Sequence, residues 1–156
     1  AAAAAGATVT HVDASKGMVT WAKENAVSSG LKDAPIRWLV DDCVKFVERE
    51  IRRGNTYDAI IMDPPSYGRG PKGEIWKIED MIHPLIRLCA KILSEDALFF
   101  LVNSYTTGLA PAVLTYMIST ELKSWNGHVD SQEIGLPVTN SGLVLPCGAS
   151  GRWESR

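Results

Sequence analysis

The sequence predicts an α/β fold in which a mostly parallel sheet is covered by helices on both faces. Three observations carry that prediction. Strand-length apolar runs alternate with helix-period segments over residues 8–122. The run over 97–102 is apolar throughout rather than at every second position, as in strands buried on both sides. Three successive runs end in aspartate, at the strand termini where open α/β sheets collect ligands.

Residues 8–12 read as a short buried strand ending in Asp13. Ser15 is placed to cap a helix whose Met18, Ala22 and Ala26 share one face until Ser28-Ser29-Gly30 stops it. Residues 36–40 repeat the pattern and end in Asp41-Asp42, ahead of a helix over 44–53. Phe46, Val47 and Ile51 are expected inward there, Glu48, Arg49, Arg52 and Arg53 solvated, and Gly54-Asn55 closes it. A third strand over 57–62 meets Asp63-Pro64-Pro65-Ser66-Tyr67, and a Gly/Pro-rich loop over 68–73 follows.

Leu85, Leu88, Cys89 and Ile92 recur at helical spacing, so a helix is expected over 80–93 with Pro84 in or near its first turn. Residues 97–102 form a fourth apolar strand and residues 111–122 another helix. The tail changes character: 128–134 and 142–145 are strand-like and separated by Pro137 and Asn140-Ser141-Gly142. That spacing suggests an antiparallel pair at one sheet edge.

The 156 residues, with 46% hydrophobic side chains, suffice for one domain with a real core. Cys43, Cys89 and Cys147 are odd in number and far apart, which argues against a disulfide framework or a structural zinc site and for a reducing, cytoplasmic setting. No stretch approaches the roughly 20 apolar residues of a membrane span, and the opening alanine run lacks the basic start of a signal peptide. A net charge of −2 does not give the broad positive field of a stand-alone nucleic-acid binder. Any polynucleotide would need a local patch or another domain.

The Asp63-Pro64-Pro65 exit is the most informative feature. Proline lacks a backbone N–H, so two in succession end the ladder and leave nearby carbonyls without sheet partners. A carboxylate with freed carbonyls can accept hydrogen bonds from a planar amino group, and Tyr67 can cover the attached ring by stacking. Asp13 and Asp42 are acceptor-only groups suited to a ribose diol and an exocyclic amino group. The plainer readings are polar strand ends before capped helices and a rigid double-proline turn.

These residues resemble the class I S-adenosylmethionine-dependent methyltransferases, in particular the Asp-Pro-Pro-x-Phe/Tyr proteins related to bacterial large-subunit rRNA methyltransferases. The resemblance covers about residues 7–153 and rests on Val12-Asp13-Ala14-Ser15 with Asn25, Asp41-Asp42-Cys43, and Asp63-Pro64-Pro65-Ser66-Tyr67. It implies a Rossmann-like sheet and S-adenosylmethionine as cofactor, with no metal. Asp13, with Ala14 beside it, would hold the ribose, Asp42 the adenine amino group, and the Cys43 backbone N–H would lie near the ring. Asp63, a cofactor neighbour as well, would with Pro64, Pro65 and Tyr67 make up the catalytic segment facing the acceptor. Arg69 and Lys72, beside Tyr67, are candidates for phosphate contact with an RNA substrate, expected to be rRNA.

Two departures from the family pattern stand out. The Gly-rich turn that lets the backbone approach the methionine moiety is absent, so the chain reads as an N-terminally truncated catalytic domain without its first central strand. The stretch Val102-Asn103-Ser104-Tyr105-Thr106 has no cysteine where relatives that methylate cytosine C5 carry their nucleophile, which favours a nitrogen or oxygen acceptor. A non-catalytic RNA- or partner-binding module of the same fold is an alternative. A nicotinamide-dependent oxidoreductase is another, but it explains the double proline poorly.

Overall fold

A computed structural model describes residues 1–70, 73–106 and 108–156. The chain divides into two compact units, Ala1–Arg53 and Gly54–Arg156.

The first unit is a parallel strand pair with two helices. Strand β1 (Val9–Asp13) lies beside β2 (Ile36–Val40) with Asp13 in register with Val40. His11 and Trp38 are register partners whose rings tilt against each other at 5.2 Å. Helix α1 (Lys16–Ser28) starts where expected, because the Ser15 hydroxyl accepts from the Met18 N–H. Its buried residue is Val19, with Ala22 and Ala26 half-buried on the same face; Met18, expected inward, is exposed. Helix α2 (Cys43–Arg53) buries Phe46 and Val47 as expected, but its third buried position is Glu50, charge-paired with Arg53, while Ile51 is exposed. A carboxylate inside an apolar stripe is tolerated where a cation accompanies it. Gly54 follows the helix at φ 68, in the left-handed region that ends helices at glycine.

The second unit holds a four-stranded mixed sheet in the order β3-β6-β8-β7. Strand β3 (Ala59–Met62) is followed by two short strands, β4 (Tyr67–Arg69) and β5 (Ile75–Lys77), which pair antiparallel. The region expected to be a plain loop is therefore a hairpin, its Tyr67-Gly68-Arg69 and Ile75-Trp76-Lys77 arms alternating exposed and half-buried. Helix α3 (Ile78–Ala90) begins two residues before the expected start, so Ile78 and Ile82 extend its buried stripe upstream and Pro84 falls inside it. Proline there forfeits one helical hydrogen bond without ending the helix.

Strand β6 (Phe99–Ser104) lies parallel to β3, and α4 (Pro111–Glu121) carries Leu114, Met117 and Ile118 into the core. Strands β7 (Gly127–Pro137) and β8 (Val144–Ser155) are longer than the tail pattern suggests, and β8 pairs with β6 while β7 takes the edge. Gly148 and Gly151, which superficially suggest a phosphate loop, lie within β8. A Cβ at Gly151 would come within 2.8 Å of Leu114 and Ile118, so these glycines serve close packing.

Helices α3 and α4 are joined through Glu121. Its Oε1 meets His83 Nε2 at 2.7 Å and accepts from Arg87 Nε at 3.1 Å. The Arg87 hydrogen bond holds this carboxyl below the ordinary value of 4.5, outweighing the upward pull of burial, and His83 adds to the lowering. No described helix is long and apolar enough to cross a membrane.

Candidate functional site

In the first unit, two adjacent parallel strands end together. The Asp41 N–H donates to the Asp13 carbonyl at 3.0 Å, continuing the ladder one step past the strands, so Asp13, Ala14, Asp42 and Cys43 are brought into one neighbourhood. Cys43 Sγ also lies 3.8 Å from the Val12 carbonyl. Each acid at this rim is held by a nearby backbone amide. Asp13 Oδ1 accepts from the Ser15 N–H at 2.6 Å, and Asp42 Oδ1 accepts from the Lys45 N–H at 2.9 Å, which makes Asp42 the N-terminal cap of α2. Asp41 pairs with Arg49 and accepts from the Asp42 N–H.

Among the described residues, nothing bonds Oδ2 of Asp13 or of Asp42. A carboxylate oxygen held in place by its sibling oxygen is a fixed acceptor, already oriented before anything binds. Asp42 and Cys43 are exposed and Asp13 half-buried, so these acceptors are within reach of solvent.

In the second unit, β3 ends at Met62, and Asp63 leaves the sheet exposed, with no hydrogen bond among the described residues. The segment behind it is anchored. Trp76 Nε1 donates to the Pro65 carbonyl at 2.6 Å, the Ser66 and Thr106 hydroxyls meet at 2.6 Å, and the Ile78 N–H donates to the Ser66 carbonyl at 3.1 Å. Tyr67 stands half exposed on the hairpin, its hydroxyl accepting from Arg69 Nε at 3.0 Å. Tyr67 and Lys77 are register partners, and with Arg69 and its partner Ile75 they make an exposed face of one aromatic, two cations and one aliphatic side chain. Lys72 lies outside the described residues.

Sequence reasoning placed Asp63 to Tyr67 at a strand exit but missed the roles of Trp76 and Thr106. Arms of three residues each are shorter than a readable strand pattern, so the hairpin that brings Trp76 back beside the prolines left no clear signal in the sequence. Among the described residues no group of three or more His, Cys, Asp or Glu side chains is arranged to hold a metal ion.

No protein-family model matches the chain. It is similar to the crystal structure of a SAM-dependent methyltransferase from Agrobacterium tumefaciens, at 42% identity and a TM-score of 0.90, over 99% of this chain and 51% of that one. It is 36% identical over 86 residues to a ribosomal RNA large subunit methyltransferase K/L of Pseudoalteromonas atlantica, covering 54% of this chain and 12% of the relative. A protein of the same name from Legionella pneumophila (strain Lens) is 30% identical over 112 residues, 70% of this chain and 15% of its own length. The chain thus spans about half of the solved relative and a small part of these curated ones. The resemblance to S-adenosylmethionine-dependent methyltransferases and the Rossmann-like α/β class are both borne out.

Proposed function

We propose that the protein transfers a methyl group from S-adenosylmethionine to a nucleic-acid acceptor, with rRNA as the substrate and a nitrogen or oxygen as the receiving atom. The observation that carries the reading is the pair of fixed acceptors, Asp13 and Asp42, on neighbouring strand ends of one unit. The similarity to the Agrobacterium methyltransferase supports it, as do the names of the curated relatives. In this reading the two units are parts of one catalytic domain.

The donor set suits a nucleoside. Asp13 Oδ2, with the lone pair left on Oδ1, accepts from a ribose diol, and Asp42 Oδ2 accepts from an amino group. Ala14 offers no bulk beside the ribose, and the backbone of Cys43, the first residue of α2, is assigned to the edge of the adenine ring. S-adenosylmethionine supplies, when bound, a methyl group already activated by a positive sulfur. The protein's task is then alignment, for which favourable orientation is worth about 7–11 kcal/mol, against about 1–3 kcal/mol for stacking one base.

Asp63 and the Pro64 carbonyl hold the acceptor nitrogen or oxygen, and Pro65 keeps the chain extended behind them. Tyr67 stacks on the acceptor base. Arg69 and Lys77 on the same hairpin face suit the phosphates that accompany a stacked base, which supports RNA over a small molecule. The absence of cysteine from Val102-Asn103-Ser104-Tyr105-Thr106 supports nitrogen or oxygen over cytosine C5. The full-length protein is therefore expected to bind S-adenosylmethionine in preference to NAD and to label undermodified large-subunit rRNA from tritiated cofactor. Tight NAD binding without S-adenosylmethionine binding would overturn the assignment.

A further inference from the structure

We propose that Trp76 is a positioning residue for the methyl acceptor, acting through the Pro65 carbonyl, with Thr106 as its counterpart on Ser66. The inference rests on the methyltransferase reading and adds to it the means by which the acceptor segment is held. The segment Asp63 to Tyr67 needs outside support, because Pro64 and Pro65 have no N–H with which to fix themselves. Support must reach its carbonyls and side chains instead.

Three elements supply it. The indole N–H from β5 takes the Pro65 carbonyl at 2.6 Å, the Thr106 hydroxyl beyond β6 takes the Ser66 hydroxyl at 2.6 Å, and the first amide of α3 takes the Ser66 carbonyl at 3.1 Å. The anchors stop at Pro65. Among the described residues none reaches the Asp63 carboxylate or the Pro64 carbonyl, the two acceptors assigned to the substrate. Trp76 thus fixes where those acceptors stand without consuming either. It does so from the half-buried side of the hairpin, with Gly68 as its register partner, while Tyr67 and Arg69 occupy the exposed side.

The test is Trp76→Phe in the full-length protein, which keeps an aromatic ring but removes the N–H donor along with part of the indole's bulk, so Tm is measured beside turnover. Expected is a fall in kcat for methyl transfer to undermodified rRNA of about tenfold or more, since small misplacement of reacting groups is costly. S-adenosylmethionine affinity should stay within about twofold, because no cofactor contact is removed. Thr106→Val should show the same split. A residue that merely packs the hairpin would lower Tm and leave kcat and KM alone, and that result overturns the proposal.

The indole proton of Trp76, followed by NMR in the wild-type protein, gives a readout independent of activity. Slow exchange supports the anchor, and exchange at the rate of a free indole overturns it. If Trp76→Phe fails to fold, the wild-type proton exchange and the turnover of Thr106→Val decide the matter in its place. A wild-type protein that binds no S-adenosylmethionine and labels no RNA overturns the methyltransferase reading, and the positioning role with it. Wild-type activity combined with a fully active Trp76→Phe overturns the positioning role alone.

Discussion

The first unit holds its acids with amides two and three residues away, Ser15 for Asp13 and Lys45 for Asp42. The second leaves Asp63 unheld and fixes the residues behind it with partners 11 and 40 residues away, Trp76 and Thr106. The contrast is one of chemistry as much as of distance. Binding an invariant nucleoside favours acceptors set rigidly by their own turns, while presenting a reacting group calls for acceptors left free on a rigid support. Changes in the first unit should therefore move cofactor affinity or helix stability, and changes in the second should move turnover or the use of the RNA acceptor.

The largest expected effect is that of Asp63→Ala, a drop of about 10²-fold in single-turnover methyl transfer, with a much smaller change in cofactor binding. Equal losses in both would erase the distinction between the two regions. Tyr67→Ala should follow, raising the KM for RNA by the factor that corresponds to about 1–3 kcal/mol of lost stacking. Loss of cofactor affinity in parallel would contradict its placement with the acceptor.

Asp42→Ala removes the cap of α2 and should lower unfolding free energy in urea by about 0.5–2 kcal/mol. Asp42→Asn should restore that stability while cofactor binding stays weakened. Recovery of both would leave Asp42 a cap and nothing more.

The smallest effect is expected away from either site, at the Glu121 link between α3 and α4. Because its folded-state value is lowered, its contribution to stability is present above 4.5 and is lost as the pH falls through the lower folded value. Glu121→Gln should remove that portion of the acid dependence, measured as Tm against pH, and leave methyl transfer at neutral pH unchanged.

The same contrast explains what could be read from the sequence. The first unit was legible because its signals are local: Ser15 caps α1, Gly54 ends α2, and β2 spans residues 36–40 as its apolar run predicts. The errors there, Met18 for Val19 and Ile51 for Glu50, are rotations of a helical face by one residue. The second arises because apolarity alone does not say that Glu50 will be buried with a charge partner, and the first because Met18 and Val19 are both apolar, so apolarity does not choose between them.

In the second unit the Asp63-Pro64-Pro65 exit was legible because two prolines end a ladder in any context. The β4–β5 hairpin was not, since its strands are three residues each and owe their form to pairing rather than to propensity. Likewise, the full length of β8 follows from pairing with its two neighbours in the sheet, β6 and β7, which the local sequence around its glycines does not announce.

The assignment of cofactor to the first unit is tested most directly by titrating S-adenosylmethionine into full-length Asp13→Asn by calorimetry, beside wild type and Tyr67→Ala. Asparagine keeps an acceptor for the Ser15 N–H and gives up the second acceptor oxygen and the charge. A charge-assisted hydrogen bond contributes about 1.5–3 kcal/mol, so affinity should fall about 10- to 100-fold for Asp13→Asn, while Tyr67→Ala titrates like wild type. Wild-type affinity in Asp13→Asn would contradict the account.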